Sequence, residues 1–302
     1  MADYITPGLH ALFIWWFSTG VVFWLNGLPR HTFRWTMLGA TALLGLGLYA
    51  IAASTAEATV TGAYTGFLGA LAVWIWIEVG FYLGYVTGIR KTRCPDDCAG
   101  WRHFGHALQA SLWHEIAILA LIGLVAWLTW GAANQTALWT LAVLKWMHQS
   151  ARLNVFLGVR NINADLLPPH MDFLRGFMRK REMNLLFPIS VTLSTIAAVL
   201  IFQHAAGGDA FERTALSFVG MLMALAILEH WVLMLPMPAA ALWGWALKGR
   251  GQPAVLSITR GRAVDLPPAE PATTARVIAL VRRADEPIRP PGFVPRTGTE
   301  TA

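Results

Sequence analysis

Residues 65–88 read TGFLGALAVWIWIEVGFYLGYVTG, an almost unbroken apolar run that contains one charged side chain, Glu78. A helix needs about 20 mainly apolar residues to cross the hydrocarbon core of a bilayer, and this stretch is long enough. The whole chain has the same character, because 56% of its 302 residues are hydrophobic and only 13% are charged. A soluble domain carries roughly a quarter charged residues, so this composition indicates an integral membrane protein.

Apolar stretches of this kind predict an all-α fold, a polytopic membrane bundle of seven transmembrane helices. They are residues 8–28, 36–54, 65–88, 104–129, 137–159, 185–203 and 215–238. The first stretch has no basic region before it, so it is predicted to be a permanent span rather than a cleavable signal. The 15 tryptophans fit the same class of protein, because Trp is enriched at membrane–water interfaces.

Lysine and arginine are concentrated in alternate connections between the predicted spans. The first, third and fifth connections hold Arg30, Arg34, Arg90, Lys91, Arg93, Arg102, Arg160, Arg175, Arg179, Lys180 and Arg181. The second and fourth connections hold none, and the sixth holds only Arg213. Because basic loops stay in the cytoplasm, this pattern predicts an N-terminus outside and a C-terminus in the cytoplasm.

Two further segments are predicted on the cytoplasmic side. In the fifth connection, residues 170–181 have apolar side chains at helical spacing among basic ones, which predicts a short helix lying on the membrane surface. We assign residues 1–247 to the membrane domain and residues 248–302 to a proline-rich, basic tail that is expected to be largely disordered. We interpret the basic excess as contact with lipid headgroups, and not with nucleic acid.

Ionisable side chains inside a membrane are energetically costly, so their presence calls for an explanation. Four predicted spans carry them, at Glu78, at His114 and Glu115, at Lys145, His148 and Arg152, and at Glu229 and His230. At 1.5 Å per residue, the carboxylates and imidazoles lie roughly 17–22 Å below the outer surface. We therefore expect these side chains to converge in one mid-membrane polar centre.

Three interpretations of this centre are open. In the first, Lys145 and Arg152 neutralise the carboxylates in a structural network, because buried charges need partners. In the second, one divalent metal or a Mg-tetrapyrrole is held by the acidic and imidazole groups of Glu78, His114, Glu115, His148, Glu229 and His230. In the third, the polar groups form a path for protons or a substrate.

A second candidate metal site lies in the loop before the fourth predicted span. It consists of Cys94, Cys98, His103 and His106, residue types that bind zinc. Their spacings match no standard zinc finger, and the chain has no other cysteines. The preferred prediction is therefore two reduced thiols in a loop, without a disulfide framework.

Several functions are excluded by the motifs that the sequence lacks. The last predicted span has no lysine for a retinal Schiff base. The chain also lacks the phosphate-binding motif Gly-x-x-x-x-Gly-Lys-Ser/Thr. It contains neither the nucleophile motif Gly-x-Ser-x-Gly nor the zinc motif His-Glu-x-x-His.

Most of the predicted membrane domain resembles the photosynthetic complex assembly protein 2 family, the Puh-operon E product of purple phototrophic bacteria. The resemblance lies in PGLHALFIWWFSTGVVFWLNGLPRHTFR (7–34), IWIEVGFYLGYVTGIRKTRCP (75–95), LWHEIAI (112–118), MHQSARLNVFLGVRNINADLLPPHM (147–171) and ILEHWVLMLP (227–236). It does not extend to the tail, and it assigns no catalytic residue.

The resemblance implies a non-enzymatic accessory factor in the bacterial inner membrane, either cytoplasmic or intracytoplasmic. Such a factor would assemble or regulate the reaction centre, the antenna or the supply of bacteriochlorophyll, with photosynthetic subunits or pigment-biosynthesis proteins as partners. The alternative is a membrane metalloenzyme that acts on a tetrapyrrole or another lipid-soluble substrate through the Glu/His centre. A transporter is disfavoured, because no inverted repeat and no paired broken helices are visible in the sequence.

Overall fold

The computed structural model describes residues 2–95, 97–237 and 239–248, and within these ranges the chain is helical and contains no β-strand. The main helices are α1 (Ala2–Asn26), α2 (Phe33–Ala53), α3 (Val60–Tyr82), α4 (Gly100–Ala110), α5 (Leu112–Leu128), α6 (Thr136–Leu157), α7 (Leu186–Gly207) and α8 (Ala210–Met234). The shorter elements are 3₁₀ helices at Arg30–Thr32, Ala164–Leu166, Pro169–Phe177 and Ala239–Trp243, and the single turn α9 (Gly244–Leu247). The predicted all-α fold is confirmed. The predicted tail, apart from Lys248, lies outside the described residues.

Five helices are long and apolar enough to cross a bilayer, namely α1, α2, α3, α7 and α8. Together, α4 and α5 would make a sixth span, although they are bent by 62° at the break between them. Helix α6 is too polar to count by the same measure, because it carries Lys145, His148 and Arg152. The structure therefore indicates a membrane protein with five or six candidate spans among its described residues, where the sequence predicted seven.

Helix α3 is the most enclosed of the candidate spans. Its Phe67 and Ile77 are fully buried, and the Phe67 ring stacks on Phe218 of α8 at a centroid distance of 4.2 Å. Helix α2 approaches so closely that a Cβ on Gly47 would lie 2.9 Å from the Gly69 carbonyl oxygen. Small residues permit such close contacts between helices in membranes. The single carboxylate of α3 is therefore held inside the protein.

The fourth predicted span, residues 104–129, is not one continuous helix. The chain breaks at Ser111, whose φ of −131° is not helical, and α5 leaves in a new direction. The segment that follows α3 packs into this break, where Thr87 accepts a hydrogen bond of 2.9 Å from the backbone N–H of His114. Because of this break, the first turn of α5, with His114 and Glu115, lies beside the segment that follows α3.

The surface helix predicted for residues 170–181 is a 3₁₀ helix that spans Pro169–Phe177. Its Leu174 and Phe177 are buried in a cluster that also contains Phe81 of α3. The apolar face that the prediction turned toward lipid therefore packs on the protein itself. Ala107 and Ala110 of α4 belong to the same cluster, so the segment also packs against α4.

The last predicted span, residues 215–238, is also shorter than expected at its end, because α8 stops at Met234. The chain then folds back onto α1. The indole N–H of Trp243 donates to the carbonyl of Trp16 at 3.0 Å, and that of Trp16 donates to the carbonyl of Leu242 at 3.0 Å. This returning segment covers one end of the bundle interior.

Candidate functional site

The start of α5 is tied to α6 by ion pairs. One oxygen of Glu115 contacts Lys145 Nζ and the other contacts Arg152 Nη1, so this carboxylate bridges both cations. Lys145 also donates a hydrogen bond of 2.9 Å to Gln149 Oε1. These are three of the predicted site residues, and their arrangement matches the structural network that the first interpretation described. Because both oxygens of Glu115 are used in this way, it is poorly placed to bind a metal.

A second group, Glu78, His114 and His148, brings α3, α5 and α6 together. His148 Nδ1 lies 3.5 Å from Glu78 Oε1, and the two imidazole rings lie 5.5 Å apart between centroids. Each residue can offer one ligand atom so that all three atoms lie within 4.8 Å of one another. We call these three residues the Glu/His triad. The expected convergence of several helices in one polar centre is present for these residues.

The triad is unusual because four of its six side-chain polar atoms are buried without a hydrogen bond within the described residues. Both ring nitrogens of His114 are buried without a partner in the described part of the chain, and the side chain is fully enclosed. The same holds for Nε2 of His148 and Oε1 of Glu78. Buried polar atoms are normally hydrogen-bonded, so a cluster of exceptions calls for water, an ion or a ligand.

A cavity of about 500 Å³ borders two residues of the triad, Glu78 and His148. Helices α1, α3, α6 and α8 supply most of its lining, and the 3₁₀ helices Pro169–Phe177 and Ala239–Trp243 contribute further residues. Most of the lining is apolar, including Trp15, Leu71 and Trp243. Its charged groups are Glu78 of α3, Arg152 of α6 and Glu229 of α8, and His148 of α6 also lines it. A largely apolar pocket with a few polar groups is typical of a small-molecule site.

Two of the predicted cluster residues, Glu229 and His230, are adjacent on α8 but have different surroundings. Glu229 lines the cavity, but His230 faces a separate network. Its Nδ1 lies 2.7 Å from the carbonyl of Ala226, and its Nε2 lies 2.9 Å from Ser150 Oγ. Ser190 of α7 continues this network at 2.9 Å from Ser150. The prediction that His230 joins the central cluster was wrong, because adjacent residues on a helix point in directions about 100° apart.

The polar centre also lies away from the middle of most of its helices. Glu78 is four residues before the end of α3, about 6 Å along the axis, and Glu229 is five residues before the end of α8. His114 belongs to the first turn of α5. These residues therefore meet near helix ends, where the prediction placed them at mid-span.

The cysteine loop differs from its prediction as well. Cys94 and Cys98 form a disulfide bond, so the expectation of two reduced thiols was wrong. A turn brings them together, in which the N–H of Cys98 donates to the carbonyl of Pro95 at 3.0 Å. His106 Nδ1 lies 3.1 Å from one sulfur and 3.3 Å from the other. His103 is not part of this set, because its ring stacks on Phe156 instead.

An ion pair stabilises the same loop on its exposed side. Arg102 Nη2 lies 2.7 Å from Asp97 Oδ2. This hydrogen bond and the charge of Arg102 lower the pKa of Asp97, so the carboxylate stays ionised well below neutral pH.

Sequence reasoning missed the aromatic residues that hold the triad rings. Trp74 contacts His148 edge-on at a centroid distance of 5.5 Å, and Phe81 lies 4.4 Å from the ring of His114. Both residues are three or four positions from Glu78 along α3. Residues at those spacings share a helix face, so this signal was available once Glu78 had been assigned to the interior.

The family of the chain is decided by a match that covers most of its length. Residues 1–254 match the family described as Protein of unknown function (DUF3623). The chain belongs to this family. The matched range of DUF3623 contains the triad, the Glu115 ion pairs and the cavity, and it ends near the start of the tail.

A relative of this DUF3623 chain occurs in Rhodobacter capsulatus, where it is named "Uncharacterized 30.4 kDa protein in puhA 5'region". The two sequences are 38% identical over 254 residues, which is 82% of this chain and 92% of the relative. No solved structure matches the chain.

Proposed function

We propose that this chain is a non-enzymatic membrane accessory factor for the assembly or regulation of the bacterial photosynthetic apparatus. It would serve the reaction centre, the antenna or the supply of bacteriochlorophyll. The observation that carries this proposal is the puhA 5' region in the name of the 38% identical relative. That location agrees with the resemblance of the sequence to the Puh-operon E family.

Two structural features support such a role. The outer faces of α2 and α7 are apolar and exposed, for example at Leu46 and Leu200. Such faces suit lipid and the spanning helices of partner subunits. The cavity falls in the range of roughly 300–1,000 Å³ that small-molecule sites occupy. We propose photosynthetic complex subunits or pigment-biosynthesis proteins as the partners.

We also propose that the chain crosses the bacterial inner membrane seven times, with its N-terminus outside and its C-terminus in the cytoplasm. Helix α6 would be the seventh span despite its charges. Its Lys145 and Arg152 pair with Glu115 of α5 and do not have to face lipid. Ionisable residues in spanning helices face the bundle interior in this way.

Reporter fusions test this topology. A reporter placed after Ala302 or inserted near Asp97 is expected to report the cytoplasm, and one inserted near Thr59 is expected to report the outside. The charge asymmetry of the connections sets these expectations. An external signal at Asp97 would reverse the orientation. It would also place the Cys94–Cys98 disulfide in an oxidising compartment, where such bonds are common.

A second candidate function is a membrane metalloenzyme that acts on a tetrapyrrole or another lipid-soluble substrate. The Glu/His triad beside an apolar cavity favours it, because metal and pocket would then be adjacent. The two functions differ in what their loss leaves behind. Loss of an enzyme leaves its substrate to accumulate, whereas loss of an accessory factor leaves pigment precursors unchanged.

Deletion of the gene in a phototrophic host that carries it tests the proposed function. We expect the membranes to show weaker near-infrared absorbance from reaction centre and antenna, with no single pigment precursor enriched in extracts. A plasmid copy of the gene should restore the absorbance. Equal amounts of both complexes in the deletion and parent strains, under phototrophic and semi-aerobic growth, would contradict the proposal. Enrichment of one precursor would favour the enzyme.

A further inference from the structure

We propose that the Glu/His triad binds one divalent first-row transition ion, Fe²⁺ or Zn²⁺, with an open coordination position toward the cavity. The ligands are one carboxylate oxygen of Glu78 and one ring nitrogen each of His114 and His148. This inference does not depend on the photosynthetic role, because metal content can be measured directly.

The positions of the donor atoms fit an ion of this size. Zinc–nitrogen and zinc–oxygen bonds of about 2.0–2.2 Å place neighbouring ligand atoms of a tetrahedral site roughly 3.3 Å apart. The 3.5 Å between His148 Nδ1 and Glu78 Oε1 is already close to that separation. The three donor atoms lie within 4.8 Å of one another, so side-chain movements of about 1 Å complete the site.

The unpartnered atoms of the triad are the second, independent sign of a ligand. His114 is fully buried, and neither of its nitrogens has a hydrogen-bond partner in the described ranges. An imidazole without hydrogen bonds in a protein interior is destabilising. A metal ion would supply a partner for one nitrogen of His114 and for the free oxygen of Glu78. Phe81 packs against the ring of His114, and Trp74 packs against the ring of His148.

The surrounding charges are compatible with one ion. In their ionised forms, Glu78, Glu115 and Glu229 carry three negative charges, and Lys145 and Arg152 carry two positive charges. Both cations are directed to Glu115, so the carboxylate of Glu78 is left for the ion. With neutral imidazoles, the group has a net charge of −1 without metal and +1 with one divalent ion. The bound ion would therefore favour an anionic fourth ligand, such as hydroxide or a carboxylate that enters through the cavity.

The types of ligand select the class of metal. Two imidazoles and one carboxylate suit Zn²⁺ and non-haem Fe²⁺, and such sites keep positions open for water or substrate. Mg²⁺ and Ca²⁺ prefer sites made of oxygen atoms alone. Glu78 and His148 line the cavity, so the open position would face a mostly apolar space.

Metal analysis of the full-length protein tests the proposal. The cysteine loop is first removed, because Cys94, Cys98 and His106 offer a competing site when the disulfide is reduced. A Cys94→Ser/Cys98→Ser double variant serves as the parent. We expect about one Fe or Zn per chain, by mass spectrometry of the metal, both in the membrane fraction and after purification. Added Co²⁺ should bind to metal-free parent protein and give the visible absorption of a nitrogen- and oxygen-ligated ion.

Substitutions in the triad locate the ion. In this parent, His148→Gln and Glu78→Gln are each expected to weaken Co²⁺ binding at least about tenfold, since loss of an orienting or ligating group typically has an effect of this size or larger. His230→Gln is the matched control, because His230 is another buried histidine with both nitrogens hydrogen-bonded. It should keep the metal.

Two results would overturn the proposal. One is a parent protein that contains no stoichiometric metal in membranes and gives no Co²⁺ spectrum, which would leave water as the partner of these side chains. The other is unchanged Co²⁺ binding in both triad variants. If the Gln variants do not fold, Glu78→Asp is used as the test instead. It keeps the negative charge, but its shorter side chain moves the carboxylate away from the ion. A Co²⁺ spectrum identical to that of the parent would then contradict the assignment.

Discussion

Replacement of Gly88 by alanine is expected to destabilise the protein strongly and to reduce its accumulation. A Cβ at this position would lie 2.1 Å from the carbonyl oxygen of Gln109 and 2.6 Å from the backbone N of Ser111. These are backbone atoms, so no side-chain rotation can relieve the contact. Separation of the α3–α4 connection from the break before α5 would also displace His114. We expect a loss of about 3 kcal/mol, at the upper end of the range for overpacking, measured as a lower Tm in detergent and reduced abundance in membranes.

Gly123→Ala is the matched control for Gly88→Ala. Gly123 lies on α5, and a Cβ there would meet no atom within 4 Å. Alanine is also the better helix former by roughly 1 kcal/mol, so this variant should accumulate at least as well as the unmodified protein. Equal Tm values for Gly88→Ala and Gly123→Ala would contradict the close backbone contact of Gly88 with the α4–α5 break.

Glu115→Gln is expected to have the second large effect, because it removes the acidic partner of two cations at once. Lys145 and Arg152 would remain inside the bundle without their shared carboxylate. Removal of one partner from a buried ion pair costs about 3–5 kcal/mol. The side chains of Glu115 and Lys145 are less than one-fifth exposed, so solvent screening reduces this figure only modestly. The expected observations are a lower Tm and a reduced amount of protein in membranes.

A double variant separates this electrostatic effect from a change in shape. The double variant Glu115→Gln/Arg152→Gln has only one unpaired cation, Lys145. Its Tm is therefore expected to be higher than that of the single variant Glu115→Gln. Non-additivity of this kind is the sign of a direct interaction. Glu182→Gln, which removes an exposed carboxylate, is the control and should leave Tm unchanged. Strict additivity of the Glu115 and Arg152 effects would mean that the two side chains do not interact.

The sequence predicted the positions of most long helices because apolar length is a strong local signal. It missed the break at Ser111, where neither proline nor glycine marks the change in direction. That break depends on tertiary contacts, since the segment that follows α3 packs into it. The surface helix at residues 170–181 was misplaced for a related reason. Its apolar face fits lipid and protein equally well, and periodicity cannot distinguish between them.

The candidate site was predicted as one cluster, and the structure divides it. The ionisable character of each residue was visible in the sequence, as was the shared face of Lys145, His148 and Arg152 on α6. Which groups pair depends on the rotation of each helix, and an error of one residue turns a side chain by about 100°. For this reason His230 contacts Ser150 and does not join the predicted cluster. The Glu/His triad could not be separated from the Glu115 ion pairs without coordinates.

The most direct test of the central claim measures photosynthetic complexes in the deletion strain after complementation with triad variants. The test joins the two proposals made above, because it asks whether the proposed photosynthetic role requires the Glu/His triad. His148→Gln and Glu78→Gln are predicted to reach normal abundance in membranes but to leave the near-infrared absorbance close to that of the deletion strain. Trp24→Phe, at an exposed position of α1, should restore it fully. Full restoration by both triad variants at normal protein abundance would contradict the claim.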